Sequence, residues 1–345
     1  MGSTSMIVID GSAGEGGGQI LRTALGLSMA TGRPFRVENV RARRPKPGLM
    51  RQHLTTVAAA ASICGAAVEG AAIGSQVVTF APGPVKPGEY TFSVGSAGSA
   101  TLVLQAVLPA LLSAAGPSSL TLEGGTHNPS APPLDFVERA FLPLVNRTGP
   151  RVHVALERAG FYPAGGGRFF VNVAPARTLS PFHLTDRGET VRRCAKAVVA
   201  ALPGAIALRE LEQVEKLLRW SGDQLQVRQL PDEWGPGNLL TLEIESEHVT
   251  EVFSGFGMKG VTAEAVAEDA IRQARRYLSV RAPVGACLAD QLMPILALAG
   301  GGSFRTLPLT WHARTNAAII QQFLPVRFLL EAQADGAWLV EVEAT

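Results

Sequence analysis

The stretch Asp10-Gly-Ser-Ala-Gly-Glu15-Gly-Gly-Gly-Gln-Ile-Leu-Arg22 places one acid and one base around a glycine-rich turn. Glycines let backbone N–H groups approach a ligand closely, and a helix start favours an anion. An apolar strand pattern, Met6 to Ile9, precedes the turn, and an apolar-periodic helix carrying Ile20, Leu21, Ala24, Leu25 and Leu27 follows it. No Lys follows the spaced glycines, so this is not a Walker loop. Gln19 stands where a dinucleotide fingerprint would have its last glycine. Taken alone, such a turn suits a plain strand-to-helix connection equally well.

A second cluster is basic: Arg41, Arg43, Arg44, Lys46, Arg51 and His53, with Pro45, Pro47 and Gly48 holding the segment as a loop before a helix. Guanidinium forks bind phosphate oxygens bidentately; the plain alternative is a solvated basic loop, though such runs usually mix signs and no acids are interleaved here. Six histidines occur, none at metal-binding spacing, which argues against a zinc centre. His312 stands out. It lies in Thr310-Trp-His-Ala-Arg-Thr-Asn316, read here as just ahead of a helix Ala317–Phe323 with Thr315 as N-cap. Positive potential there favours a neutral imidazole, the form that attacks phosphorus. Asp290-Gln291, at the start of another helix, could read a ribose hydroxyl or a base edge, hold a metal, or simply cap the helix. Gly165-Gly166-Gly167, ahead of a strand Arg168–Val173, suits close backbone packing.

The elements that must position these groups repeat. Gly11-Ser-Ala-Gly14 recurs as Gly95-Ser-Ala-Gly98, each between a strand and an apolar helix, with a fainter echo at Val284–Leu292. First helices fall at 19–30, 100–114 and near 286. Second helices fall at 48–64, 133–147 and 315–323. The expected fold is α+β: three repeated βαβαββ-like units of about 80 residues, each a four-stranded sheet with two helices. They form one large domain over residues 6–183 and 280–345. The third unit should open with a strand near 168–182. Residues 184–279 read as a smaller inserted α+β domain, with strands near 193–200, 224–230, 239–246 and 249–256 and two amphipathic helices.

Composition sets bounds. With 46% hydrophobic and 17% charged residues in 345, the chain has material for an ample core. A net charge of +2 excludes a protein that coats nucleic acid non-specifically, though not a local basic cleft. Three scattered cysteines make no disulfide framework, and no run is long and apolar enough for a signal peptide or membrane span. A cytoplasmic protein is expected, with Gly2 to Ser5 an appended remnant ahead of Met6.

Together these residues resemble the RNA 3′-terminal phosphate cyclase family. The resemblance rests on Asp10-Gly11 with Gly14 to Arg22, on Arg41-x-x-Arg44-x-Lys46-Pro-Gly-Leu-x-Arg51-Gln52-His53, on Gly95 to Gly98 ahead of Gln105, and on Asn128-Pro-Ser-Ala-Pro-Pro133. It continues through Gly160–Gly167, Gly235–Asn238, Ala289-Asp290-Gln291 and His312 with Thr315-Asn316, spanning nearly the whole chain.

The resemblance implies a three-step reaction. His312 would attack the α-phosphorus of ATP and form a histidine–AMP. An RNA 3′-phosphate would take the AMP. The neighbouring 2′-hydroxyl would then close a 2′,3′-cyclic phosphodiester. It also implies roles: Glu15 holding Mg²⁺ or Mn²⁺ on the ATP phosphates; Arg22, Arg41, Arg44 and Gln52 clamping the RNA 3′-phosphate or the polyphosphate; Gln105, Asp290 and Gln291 positioning the nucleotide, with Pro132 in the adenine-side wall. The chain departs from the family pattern at Cys287, where an aromatic would stack on adenine, at Ala159, where His is frequent, and at Arg43, where a small residue is common. Non-catalytic, cyclase-like ribosome-biogenesis relatives lack the histidine and much of the clamp, whereas this chain keeps His312, Glu15, Arg22, Arg41 and Arg44. The enolpyruvyl transferases share related units but form no histidine adenylate.

Overall fold

The structure is a computed structural model describing residues 5–345. Most of the remnant read at Gly2 to Ser5 lies outside the described residues.

The first unit runs β1 (Ile7–Asp10), α1 (Gly18–Thr31), β2 (Phe35–Glu38), α2 (Arg51–Cys64), β3 (Ala67–Glu69), β4 (Val78–Ala81). Its strands lie in the order β1-β2-β4-β3, with β1 parallel to β2 and the other pairs antiparallel. A parallel pair needs a crossover, and α1 supplies it. The second unit repeats this plan: β5 (Glu89–Ser93), α3 (Ala100–Leu111), β6 (Ser118–Gly124), a helical segment, β7 (Arg151–Arg158) and β8 (Gly167–Ala174), in the order β5-β6-β8-β7. The helical segment joins α4 (Leu134–Phe136) to α5 (Leu142–Arg147) through a π-turn at Val137–Phe141.

The third unit opens with β9 (His183–Leu184) and is then interrupted. The interruption holds β10 (Thr190–Ala200), α6 (Ala205–Leu218), β11 (Leu225–Leu230), β12 (Gly237–Ser246), β13 (Thr250–Phe256) and α7 (Ala263–Leu278). Its sheet order is β11-β10-β12-β13. Leu211, Val214, Ile271, Ala274 and Tyr277 of its helices join Leu240, Leu242 and Phe253 in a separate apolar cluster. The third unit resumes with α8 (Ala286–Leu298), β14 (Gly302–Thr306), α9 (Trp311–Phe323), β15 (Val326–Ala332) and β16 (Trp338–Ala344). Its order, β9-β14-β16-β15, and its strand senses match the first two units.

The three sheets turn their apolar faces toward the helices, and α1 packs against both α3 and α9. Leu25, Leu104, Leu292 and Ile320 share one continuous core. The α1–α3 approach is close at Gly26, where a Cβ would sit 2.8 Å from the Ala106 carbonyl oxygen.

Three expectations need correction. Residues 167–174 pair with β6 and β7 as the last strand of the second unit, because their alternating burial completes that sheet. The third unit therefore opens later, at His183, and Leu184 pairs with Phe304 instead of beginning the inserted segment. Helix α9 starts at Trp311, capped by the Thr310 hydroxyl, which accepts from the Ala313 N–H at 3.1 Å. Thr315 is thus inside the helix, and His312 sits in its first turn.

Candidate active site

The N-terminal halves of α1, α8 and α9 meet around His312, so residues distant in sequence come together there. The His312 Nδ1 lies 2.5 Å from Gln19 Oε1, and Gln19 Nε2 donates to Asp290 Oδ2 at 3.1 Å. An amide oxygen only accepts, so Nδ1 carries the proton. The Nε2 lone pair is left free, 3.9 Å from Glu15 Oε1. Asp290 is held in turn by its helix, whose carbonyl at that residue accepts from Asn316 Nδ2 at 2.6 Å; Asn316 Oδ1 accepts from the Thr23 hydroxyl, also at 2.6 Å. Helices α1, α8 and α9 are therefore locked together by polar groups directly behind the imidazole.

Electrostatics keep this imidazole neutral. Burial lowers the His312 pKa first, and the charges of Arg22 and Arg44 lower it further. Enclosure raises Asp290 to about 7, against the opposing pull of its Gln19 hydrogen bond and of Arg22. Arg22 itself is lowered to about 10 by burial and stays charged at neutral pH. His53, beside Arg22 and Arg41, is pushed down to about 3, mainly by burial, and its Nδ1 accepts from the Met50 N–H at 3.2 Å.

The glycine turn folds over this cluster. Thr315 Oγ1 accepts from the Glu15 N–H at 3.0 Å, tying the turn to α9. Gly14 has φ +54°, and a Cβ there would lie 2.1 Å from Thr315 Oγ1. A Cβ on Gly17 would lie 2.3 Å from Glu15 Oε2 and 2.6 Å from Arg44 Nη2, so only glycine lets the Glu15–Arg44 ion pair close over the backbone. Both Glu15 oxygens are buried; Oε1 pairs with the Arg44 guanidinium, and Oε2 has no partner.

Two cavities meet at His312. The larger, about 690 Å³, is lined by Gln19, Arg22, Gln105, Pro132, Asp290 and Gln291 together with Phe253, Met258 and Cys287. In its wall Gln105 Nε2 donates to Gln291 Oε1 at 2.5 Å, and the Thr101 hydroxyl donates to the Pro132 carbonyl at 2.8 Å. The smaller, about 500 Å³, is lined by Gly14, Glu15, Arg43, Arg44, Trp311 and His312.

Of the residues singled out in the sequence, His312, Glu15, Arg22, Arg44, Gln105, Pro132, Asp290 and Gln291 line these two cavities. Arg41 and Gln52 do not. Arg41 donates to the Lys46 and Gly48 carbonyls at 2.8 and 2.7 Å, bracing its own loop. Gln52 Oε1 accepts from the Ser99 N–H at 2.8 Å, bracing the second unit's glycine turn. Sequence reasoning gave no role to Gln19, Trp311 or Asn316. Gln19 had a readable signal: with Arg22 and Thr23 it makes a polar i, i+3, i+4 stripe on an otherwise apolar helix. Glu251 carried no signal. It lies on β13, is fully buried, is raised to about 8 by that burial, and accepts from the Gly285 N–H at 2.5 Å, at the start of α8.

Residues 13–330 match the family described as RNA 3′-terminal phosphate cyclase. The chain is 51% identical over 333 residues to the RNA 3′-terminal phosphate cyclase of Koribacter versatilis, covering 96% of this chain and 94% of that one. It is 52% identical over 332 residues to the protein of the same name from Ralstonia nicotianae, covering 96% and 95%. It is 50% identical over 337 residues to that of Salmonella typhimurium, covering 98% of each.

Proposed function

This chain belongs to the RNA 3′-terminal phosphate cyclase family, and from that premise we propose that it converts an RNA 3′-phosphate to a 2′,3′-cyclic phosphodiester at the expense of ATP, through a covalent His312–AMP. The supporting observation is the orientation of the imidazole: Nδ1 is committed to Gln19, and Nε2 is free where the two cavities join.

In the first step the Nε2 lone pair forms a bond to the α-phosphorus, and the bond from that phosphorus to the bridging oxygen breaks, releasing pyrophosphate. Nδ1 keeps its proton throughout, because the Gln19 amide oxygen is too weak a base to take it. The product is an imidazolium–phosphorus bond, from which a neutral imidazole departs readily. In the second step an RNA 3′-phosphate oxygen attacks the same phosphorus, and Nε2 recovers its electron pair. In the third the 2′-hydroxyl attacks the terminal phosphorus and loses its proton to solvent, and AMP departs. The hydroxyl already sits beside its target, so proximity lowers that barrier.

Roles follow position. Gln105, Gln291 and Pro132 would hold the nucleoside, and Arg22 the α-phosphate side of the larger cavity. Arg44 would exchange Glu15 for a phosphate oxygen. Glu15 would hold Mg²⁺ or Mn²⁺, hard cations that favour carboxylate oxygens: its buried Oε2 has no partner, and its Oε1 would be freed as Arg44 turns to the phosphate. Such an ion supplies charge neutralisation on the polyphosphate. No helix among the described residues is long and apolar enough to cross a membrane, and the free thiols Cys64, Cys194 and Cys287 suit a cytoplasmic setting.

Incubation with α-labelled ATP and Mg²⁺, followed by denaturing electrophoresis, tests the reading. Label should stay on the wild-type protein, be released by acid and resist alkali. His312→Ala should carry none; persistent label on that variant removes the assigned nucleophile.

A further inference from the structure

We propose that Trp311 is the platform on which the 3′-terminal nucleobase of the RNA stacks, and that the terminal phosphate lies beside Arg43 and Arg44 in the smaller cavity. This rests on the nucleotidyl-transfer reading above and adds the acceptor's seat to it.

The direction of attack constrains where that seat can be. Phosphoryl transfer runs with entering and leaving atoms in line. Pyrophosphate leaves opposite Nε2. The acceptor oxygen, which later displaces Nε2 from the same phosphorus, must also arrive opposite Nε2. The acceptor phosphate therefore takes the place that pyrophosphate vacates. The larger cavity holds the groups that suit a nucleoside, whereas Arg43 and Arg44 line the smaller one. Arg43 Nη1 donates to the Gly14 carbonyl at 2.9 Å, which fixes that guanidinium at the turn. The same cavity contains the Glu15 carboxylate, whose side chain is only 8% exposed and whose Oε2 has no partner, while Oε1 is paired with Arg44.

Trp311 completes this wall and has no structural task. It is 71% exposed, the most exposed large hydrophobic side chain among the described residues, while Ala313, Ala317, Ile320 and Phe323 of the same helix turn into the core. Pyrophosphate has no surface that an indole could cover. An RNA end has one: the base attached to the sugar whose phosphate reacts. Stacking is indifferent to base identity, as an enzyme acting on RNA ends of varied sequence needs.

The test uses two oligoribonucleotides with the same 2′-hydroxyl and 3′-phosphate, one of which lacks the base on its last nucleotide. In the wild type, the end without a base should have a KM about tenfold higher, the size expected of one base–aromatic stack. Trp311→Ala should raise the KM of the complete end to that level and leave the end without a base where it was. Trp311→Phe should retain most of the preference. Equal losses on both ends, or loss on neither, overturn the proposal. A raised KM for ATP during enzyme labelling, with RNA omitted, would assign the indole to adenine and also overturn it. Failure of the underlying reading looks different: the wild-type protein would take no label from ATP at all.

Discussion

At the scale of single residues, the site is an arrangement that decides which nitrogen of one imidazole is free. Gln19 does this without being ionisable. Its oxygen fixes the Nδ1 proton, and its amide hydrogens are spent on Asp290. Swapping the amide's two ends would set its oxygen against the Asp290 carboxyl oxygen, so the carboxyl on the far side determines the amide's orientation and through it the tautomer. Positive charge then holds the ring neutral. The His312 pKa is lowered by burial, by Arg22 and by Arg44, so the proposed nucleophile stays unprotonated at a lower pH than an ordinary histidine would. In Arg44→Ala one of the two charges is gone, and Glu15 loses its ion-pair partner. Both changes favour the protonated ring. The acid limb of the labelling-rate profile should therefore move to higher pH in that variant, measured as single-turnover rates across pH 4 to 8. An unmoved limb would mean that Arg44 acts on the phosphates alone.

At the scale of elements, three helix starts and one glycine turn build the site, and each is shaped by a contact outside its own segment. The turn before α1 is bound to α9 through the Glu15 N–H and the Thr315 hydroxyl. Thr315 reads in sequence as a helix cap because it stands just ahead of the apolar run that begins at Ala317. The structure gives the cap to Thr310 and uses Thr315 on the side of the helix. Gly14 is what permits that contact, by its positive φ and by the absence of a Cβ. Gly14→Ala should cost about 1 to 3 kcal/mol of stability, the usual range for a strained backbone position. It should also slow labelling by displacing Glu15. Thermal melting and labelling rate measured on one preparation check both; a normal labelling rate would detach the turn from the chemistry. Arg41 and Gln52 show the converse. Residues that sequence reasoning grouped with the phosphate clamp are engaged with backbone groups and hold loops in place.

At the scale of the whole molecule, three equivalent units pack their helices together, and the segment inserted in the third reaches back to the site. Glu251 on β13 accepts from the Gly285 N–H at the start of α8, so the inserted sheet contributes a carboxylate to the helix that carries Asp290 and Gln291. A second buried carboxylate, Glu210 on α6, accepts from Asn238 Nδ2 at 3.1 Å and has its other oxygen unpartnered. Burial raises it from 4.5 to about 7. A raised carboxylate favours the folded state while it is protonated, and that contribution is lost as pH rises from near 4.5 through 7. Glu210→Gln cannot ionise. Its melting temperature should gain on the wild type steadily between pH 5 and 8; a constant difference would mean that the carboxyl is not buried as described. The sequence alone determined the repeats, the helix order and the position of the glycine turn, because these depend on local periodicity and on glycine's place between strand and helix. Only the tertiary structure decided that residue 183 opens the third sheet, that Gln19 orients His312, and that Trp311 looks into a basic cavity. Those facts depend on groups separated by 120 to nearly 300 residues, and nothing local to either partner records the distance between them.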